Sequence, residues 1–256
     1  MRVLSRGRYR VRFSTEPEDV RAAQRLRYEA FIGGRKGAAE TPERAEGLDR
    51  DAFDEHCQHA LIEDVRTGRL VCVFRMLHLA NGSEIGRSYS AQHYELSGLK
   101  DFPAPMVEMG RFCMASGVRD PDVIRTAWGA MTAWVEENEV GLLFGCSSFH
   151  GVEADEYMDA FAYLRERHIA PNRWLPRVKA PKVYLFGKQL RLRRPDVKIA
   201  LRRMPPLLRS YLLLGGWVSD HAVVDDDLNT LHVFTGVEID RVPEGRRRLL
   251  RLAAAS

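Results

Sequence analysis

The chain has 256 residues, of which 45% are hydrophobic and 29% charged, and its formal net charge is +4. These proportions are typical of a soluble globular protein. The longest apolar run, near residues 212–218, is far shorter than the roughly 20 residues of a membrane-spanning helix. The arginine-rich residues 1–13 lack the apolar core of a secretory signal, and four widely spaced cysteines indicate free thiols. We therefore expect a cytoplasmic protein without disulfides.

Charge is distributed unevenly along the chain. Residues 40–64 hold nine acidic side chains against two arginines, and residues 182–209 hold nine basic side chains against one acid. The basic stretch suits an acidic carrier protein or peripheral contact with an anionic inner-membrane surface, although a solvated helix face has the same composition. No aromatic side chains alternate with the basic ones, and no zinc-finger spacing occurs, so a nucleic acid is not predicted as a partner.

Periodicity and turn residues predict alternating strands and helices. In chain order we expect a strand at 9–13, a helix at 17–31 capped by Ser14 or Thr15, a long mobile loop at 33–50, a hairpin of strands 59–64 and 70–77, a strand at 107–114, a helix at 121–138, a strand at 141–149, a helix at 155–168, a strand at 183–186, a helix at 206–214, and strands near 222 and at 231–237. No repeat or low-complexity linker interrupts this order, so we predict one α/β domain over residues 1–256.

The strand at 107–114 carries two opposite charges in an apolar run. Glu108 and Arg111 are three residues apart, and such positions in a strand face opposite sides unless a bulge at Gly110 intervenes. At least one charge therefore points inward, and buried carboxylates cluster at functional sites. The alternative is an edge strand in which Glu108 pairs with Arg111.

Three other chemistries are poorly supported. Residues 145–149 lack the second glycine of a nucleophile elbow. Residues 115–120 hold one glycine where an acetyl-CoA-dependent acyltransferase places a glycine-rich phosphate loop, so free CoA is not the expected donor. A set of acids and imidazoles looks like metal ligands, but close neighbours on an extended segment point in different directions, so no metal is predicted: Asp51, Asp54, His56, Cys57 and His59.

Direct acyl transfer to an amine fits the residues better. An amine is mostly protonated near neutral pH, so a general base must deprotonate it before it attacks. A carboxylate in a partly buried strand supplies such a base, and a neighbouring donor stabilises the oxyanion. Glu108 is a residue of this kind, and Asp51 and Asp54 add carboxylates that could grip a cationic acceptor.

Order and spacing of these residues resemble known families. One pattern is similar to that of the acyl-homoserine-lactone synthases: Arg27-x-x-x-Phe31, Asp51-x-x-Asp54, Arg75 and Glu108-x-x-Arg111. A fuller pattern resembles the L-ornithine N-alpha-acyltransferases: Arg25 to Phe31, Asp54-x-x-Cys57-x-His59, Glu108-x-Gly110-Arg111-x-Cys113 and Leu143 to Phe149. The second likeness covers residues 9–237. A tryptophan that the lactone synthases carry shortly after the Phe31 position is absent here, which favours the second family.

The resemblance implies a fold and a reaction. The fold is a GNAT-like acyltransferase domain with a mixed central sheet and helices on both faces. The reaction transfers a 3-hydroxyacyl chain from acyl carrier protein to the alpha-amine of L-ornithine and gives lyso-ornithine lipid. The 4'-phosphopantetheine arrives on the carrier, so no separate cofactor is implied. Glutamine as acceptor, a lactone-synthase-like reaction and a non-catalytic lipid- or carrier-binding protein are the alternatives.

The resemblance also implies site residues. Glu108 is the candidate base, with Asp51 and Asp54 as further catalytic carboxylates, and the choice among these three stays open. The implied substrate-binding residues are Arg27, Phe31, Arg75, Arg111 and His59. Structural alternatives exist for several of them, because Phe31 suits a core, His59 suits a buried structural position, and Arg27 and Arg75 could anchor the loop by pairing with the two aspartates.

Overall fold

A computed structural model describes residues 3–33 and 41–255. Its helices are α1 (Pro17–Phe31), α2 (Pro42–Ala45), α3 (Ser90–His93), α4 (Pro121–Glu137), α5 (Met158–Arg167), α6 (Phe186–Gln189), α7 (Val197–Arg203), α8 (Pro206–Leu213) and α9 (Glu244–Ala255). Its strands are β1 (Val3–Arg6), β2 (Tyr9–Ser14), β3 (Gln58–Asp64), β4 (Arg69–Leu79), β5 (Tyr94–Glu95), β6 (Met106–Met114), β7 (Leu142–His150), β8 (Arg177–Val178), β9 (Val183–Tyr184), β10 (Trp217–Val218), β11 (Ala222–Asp225) and β12 (Thr230–Glu238). The strands and helices predicted from the sequence are all present, with ends shifted by a few residues.

The described chain forms two compact units. The first unit comprises residues 3–33, 41–78, 109–140 and 244–255, and the second unit comprises residues 79–108 and 141–243. Strand β6 contributes its first three residues to the second unit and the others to the first. The prediction of a single domain over residues 1–256 stays a prediction.

The first unit is a sheet with a helix on each face. Its strands lie in the order β1-β2-β3-β4-β6, and β3 and β4 form the predicted hairpin, closed at Asp64 and Arg69. Leu61 packs with Ala23 and Leu26 of α1, whereas Gln58 accepts a hydrogen bond of 2.8 Å from Trp134 of α4. Because residues an odd number apart on a strand face opposite sides, α1 and α4 cover opposite faces.

The second unit is built around a mixed sheet in the order β6-β7-β12-β11-β9. Strand β7 is parallel to β6 and antiparallel to β12. Phe149, Leu231 and Val233 point to the face where α5, α6 and α8 pack. On the other face, Tyr94, which follows α3, contacts His232 and Phe234. Parallel and antiparallel pairing with helices on both faces confirms the predicted α/β class.

Two local predictions need correction. The residue that caps α1 is Glu16, and Ser14 instead accepts a hydrogen bond of 3.1 Å from the Glu16 amide. The long loop predicted at 33–50 contains α2, which begins because Thr41 accepts a hydrogen bond from the Arg44 amide at its first turn. The part of that loop from residue 34 to 40 lies outside the described residues.

The predictions about membrane-spanning helices and about the cysteines can be compared with the described part of the chain. Within it, no helix combines the length and apolar composition needed to cross a membrane. All four cysteines are free thiols; Cys57, Cys72 and Cys113 are buried and Cys146 is partly exposed.

Candidate active site

Three arginines and three aspartates form a buried ion-pair cluster in the first unit, called here the Arg–Asp network. Its arginines come from α1, β4 and β6. Asp49 and Asp51 lie in an irregular segment, and Asp54 begins the single helical turn Asp54–His56 that follows this segment and precedes β3. Three positive charges face three negative ones, so each buried charge has a partner of opposite sign. The members are Arg27, Arg75, Arg111, Asp49, Asp51 and Asp54.

Asp54 is the most heavily bonded member of the network. Arg27 and Arg75 each donate to its Oδ1 at 2.6 Å, and Gln24 donates to its Oδ2 at 2.9 Å. Burial acts to raise the pKa of Asp54, but the hydrogen bond and charge of Arg27 and the charge of Arg75 outweigh it and hold the pKa well below its ordinary value. A carboxylate in this state is a weak base, and its oxygens already serve structural partners.

Asp51 is the most exposed member, with 24% of its side chain accessible. Arg75 binds it in a bidentate manner, with N–O distances of 2.5 and 2.8 Å, and Arg111 approaches it at 3.3 Å. Burial acts to raise its pKa, but Arg75 and Arg111 lower it overall. Asp51 and Arg111 are therefore the two members that a ligand could reach most easily.

Arg111 has an unusual backbone conformation within β6. Its φ is +55°, in the left-handed region that non-glycine residues rarely adopt. The irregularity predicted at Gly110 thus falls one residue later, and a Cβ on Gly110 would only be in ordinary contact with Arg75, at 3.7 Å. Arg111 bonds to Asp49 at 3.1 Å as well as to Asp51. Strained residues of this kind are held by their surroundings and cluster at functional sites.

The remaining predicted residues of the first unit lie beside the network. His59 is buried, with Nε2 3.1 Å from the Asp54 carbonyl oxygen, and burial lowers its pKa. Phe31 packs instead against the apolar cluster around Leu26 and Val73. The substrate-binding roles of both residues stay predictions.

Glu108 lies in the second unit, in a separate set of contacts called here the Glu108 cluster: Glu108, Tyr89, Ser90 and Cys146. Its carboxylate is buried and accepts three short hydrogen bonds. The donors are the Tyr89 amide at 2.7 Å, the Ser90 amide at 2.7 Å and the Ser90 hydroxyl at 2.6 Å. The Ser90 oxygen is also 3.4 Å from the Cys146 sulfur. The start of α3 therefore holds the carboxylate in one position.

The position of Glu108 on the sheet is distinctive. The parallel ladder between β6 and β7 begins at Met106 and Leu142 and ends at Glu108 and Phe144, while β7 continues to His150. Glu108 thus stands at the last rung of the parallel ladder. Open α/β sheets bind ligands outside the carboxyl ends of their parallel strands, and Glu108 ends the parallel-paired part of β6, although β6 itself continues to Met114.

Aromatic and imidazole side chains extend from the Glu108 cluster along the same face of β7 and β12. Phe144 stacks on Phe234, and Tyr94 donates a hydrogen bond of 2.7 Å to the carbonyl oxygen of His232. Burial, with smaller contributions from the neighbouring His93 and His221, lowers the pKa of His232 to about 3. His232 is therefore a neutral imidazole at physiological pH.

The loop where a CoA-dependent enzyme would have its glycine-rich turn borders a cleft of about 270 Å³ in the first unit. Arg8, Arg69 and Arg119 line this cleft, together with Gly117, whose φ is +80°. Asp120 caps α4, because its Oδ1 accepts a hydrogen bond of 2.9 Å from the Asp122 amide. A carboxylate therefore already occupies the helix N-terminus that would otherwise attract a phosphate.

Sequence reasoning missed Asp49, Gln24 and Ser90. Asp49 lies in an aperiodic segment, and Gln24 is one of several polar residues on α1, so no pattern distinguished them. Ser90 lies 18 residues before Glu108, and only the fold brings the two side chains into contact.

Comparisons with known proteins bear on the fold and the family. The acetyltransferase (GNAT) domain model matches residues 26–129. An L-ornithine N(alpha)-acyltransferase of Rhodobacter capsulatus is 31% identical over 93% of this chain and 93% of its own length. The enzyme of the same description from Brucella abortus is 29% identical over 92% of this chain and 86% of its own. The structure of the CoA-dependent acyl-homoserine lactone synthase BjaI has a TM-score of 0.50 at 13% identity, covering 93% and 83% of the two chains, so the likeness is one of fold.

The mixed sheet with helices on both faces, the GNAT match and the named relatives define an acyltransferase of the GNAT-like class. The chain belongs to the L-ornithine N(alpha)-acyltransferase family.

Proposed function

We propose that this chain transfers a 3-hydroxyacyl group from acyl carrier protein to the alpha-amine of L-ornithine, with Glu108 as general base. The observation that carries the proposal is the buried Glu108 carboxylate, fixed by three donors at the last rung of the β6–β7 ladder. Family membership supports the acceptor, because the relatives are named for ornithine.

The chemistry at Glu108 is direct transfer. Glu108 removes a proton from the ammonium of the acceptor, and the resulting amine attacks the thioester carbonyl of the acylated carrier. The nitrogen of the tetrahedral intermediate gives up a second proton as the C–S bond breaks; one of the two protons goes to the departing thiolate, and the other leaves to solvent, which returns Glu108 to the carboxylate. Hydrogen bonds from the Tyr89 and Ser90 amides hold the Glu108 carboxylate in a fixed position for this transfer.

The donor side of the proposal rests on the cleft beside α4. Asp64 and Asp120 also line this cleft, each 3.6 Å from Arg8, so Arg69 and Arg119 are the cations that suit the single phosphate of phosphopantetheine. The pyrophosphate of free CoA needs more amide donors than a loop with one glycine supplies, and the Asp120 carboxylate already accepts a hydrogen bond from the Asp122 amide at the start of α4. These features favour a carrier-borne donor over free CoA.

The acceptor side rests on charge. Ornithine has a cationic side chain, and Asp51 is the most exposed carboxylate of the Arg–Asp network. We propose that Asp51 contributes to acceptor recognition, while Asp54 anchors Arg27 and Arg75. Glutamine, whose side chain is neutral, gains less from such a carboxylate.

A panel assay tests the proposed function. The purified chain is mixed with 3-hydroxyacyl carrier protein, or with the same acyl chain on CoA, and with ornithine, lysine or glutamine, and the released thiol and the product mass are measured. We expect N-acylornithine, with the carrier-borne donor preferred. If no thiol is released with any of the three amines, the enzymatic proposal is wrong. If only glutamine supports activity, glutamine and not ornithine is the acceptor.

Asp51→Asn supplies the specificity test for the acceptor. We expect the preference for ornithine over glutamine to fall, with a rise in KM for ornithine of about tenfold, as for the loss of one charged contact. Glu43→Gln, a change of the same kind on the exposed α2, should leave the preference unchanged. If the Asp51→Asn variant keeps the full preference for ornithine over glutamine, Asp51 is not part of the acceptor site.

A further inference from the structure

We propose that residues 190–203 of the second unit, called here the basic arm, dock the protein on an anionic membrane surface. The arm consists of the turn after α6 and the helix α7. Its turn exposes Leu192, whose accessible fraction of 88% is the highest among the exposed large hydrophobic side chains. A leucine exposed to this degree and flanked by arginines on both sides is poorly explained by packing within the chain.

The exposure of Leu192 is fixed by the surrounding structure. The Arg165 guanidinium donates to the carbonyl oxygen of Arg191 at 2.9 Å and reaches that of Arg193 at 3.5 Å. The neighbouring Leu190 is buried, and Arg193 pairs with Asp159 at 3.2 Å. The two ends of the turn are thus anchored, and the leucine between them is held outward.

Helix α7 continues the same surface. Ala200 is buried on its inner side, and the helical repeat places Lys198 and Arg202 on the opposite side, one turn apart. Ile199 and Leu201 flank this pair and are 37% and 38% exposed. The outward side therefore combines cationic and aliphatic groups, which is the composition that binds at a lipid interface.

The cations of the arm are available for a partner. Five of them form no ion pair with any residue in the described ranges 3–33 and 41–255: Arg191, Arg194, Lys198, Arg202 and Arg203. The acid of the arm, Asp196, accepts a hydrogen bond of 3.0 Å from the Ile199 amide and so caps α7. The positive charge is consequently left for an external anionic surface.

A lipid surface fits these features better than an acidic protein does. The leucine projects from a turn, and a bilayer accepts a projecting aliphatic side chain without a preformed pocket, whereas a protein partner needs a matching cavity. The product of the reaction is also a single-chain acyl amino acid that partitions into membranes, and this second reason rests on the proposed function.

Sedimentation with vesicles tests the assignment on the whole chain without substrates. We expect binding at low salt to vesicles that contain phosphatidylglycerol, much weaker binding to phosphatidylcholine alone, and loss of binding as salt is raised. Leu192→Ser should weaken binding about tenfold, and the Arg191→Gln, Arg194→Gln double variant about twentyfold, from roughly fivefold per cation. Because no substrate is present, a failure of the acyl-transfer proposal does not affect this measurement.

Val65→Ser is the matched control. Val65 is an exposed aliphatic residue of the β3–β4 turn, 51% accessible and adjacent to Arg66, so it has similar chemistry outside the arm. Vesicle binding equal to that of the unaltered chain is expected for this control. The proposal is overturned if the chain ignores anionic vesicles, or if the arm variants bind like the control. It is also overturned if they bind vesicles normally but raise the KM for acyl carrier protein, which would assign the arm to an acidic protein.

Discussion

At the scale of a single residue, Glu108 has a proposed chemical role and an observed structural one. It must remain a carboxylate to accept a proton, and its oxygens also hold the first amides of α3. The isosteric change to glutamine removes the negative charge and places an amide NH₂ near N–H donors. A role confined to holding α3 would appear as a loss of stability, whereas a role as base appears in kcat.

We expect Glu108→Gln to lower kcat by about 100-fold or more, in line with the contribution of a general base. Steady-state kinetics with 3-hydroxyacyl carrier protein and ornithine measure this change, with the melting temperature recorded alongside. Ser90→Ala keeps the carboxylate and removes one of its three donors, so a smaller loss, about tenfold, is expected.

Glu95→Gln is the matched control for Glu108. This carboxylate also lies in the second unit and also accepts a backbone hydrogen bond, from Ser97 at 2.7 Å, but it belongs to β5. The Glu95→Gln variant should have the same kcat as the unaltered chain. Near-full turnover in Glu108→Gln would exclude this glutamate as the base.

At the scale of elements, the Arg–Asp network joins α1, β4 and β6 to the segment that carries the three aspartates. Arg27 has a side-chain exposure of 1% and bonds to both Asp49 and Asp54. Breaking a buried pair from one side leaves the other charge without compensation, which is costly even where the intact pair adds little net stability. The network therefore fixes the segment in one conformation.

We expect Arg27→Gln to reduce the free energy of unfolding by about 3 kcal/mol, because two buried carboxylates each lose one of their two arginines. Arg21→Gln on the same helix removes a pair with Glu46 in which both side chains are about half exposed, and it should cost less than about 1 kcal/mol. Urea unfolding of the two variants gives the comparison. Equal losses in both would show that the network does not anchor the segment.

At the scale of the whole molecule, stability depends on pH through buried histidines. Burial lowers the pKa values of His59 and His168, and that of His232 falls to about 3. A histidine whose pKa is lower in the folded state than its unfolded value near 6.5 binds protons mainly when unfolded. Its contribution to stability is therefore complete above pH 6.5 and is lost as the pH falls toward 3.

For His232 alone, this linkage gives a loss of about 2 kcal/mol between pH 7 and pH 5. Urea unfolding at both pH values measures the loss, and His232→Gln should reduce the difference by about that amount. His78→Gln changes an exposed histidine and should keep the full difference. Asp51 and Asp54 have lowered pKa values, so these two carboxylates lose their contribution only below about pH 4 and do not disturb this window. If His232→Gln loses as much stability between pH 7 and pH 5 as the unaltered chain, His232 is not the source of that loss.

The limits of prediction from sequence are clear for particular residues. The hairpin β3–β4, the helices α1 and α4, and the strands β6 and β7 follow from local periodicity, which each segment carries by itself. The helix α9 was not predicted, although its residues are mostly arginine, leucine and alanine, which favour helices. The bulge of β6 was expected at Gly110 from its permissive backbone, but contacts to Asp49 and Asp51 place the left-handed conformation at Arg111.

The sequence by itself determined the α/β class, the family, and the expectation that Glu108 or Arg111 points inward, because these depend on local pattern and on the order of residues. Only the tertiary structure decided the partners. It paired Asp51 and Asp54 with Arg75 and Arg27, which makes Asp54 an anchor, and it brought Ser90 to Glu108. Pair contacts between residues 18 to 60 positions apart leave no periodic trace, since they depend on how the elements pack.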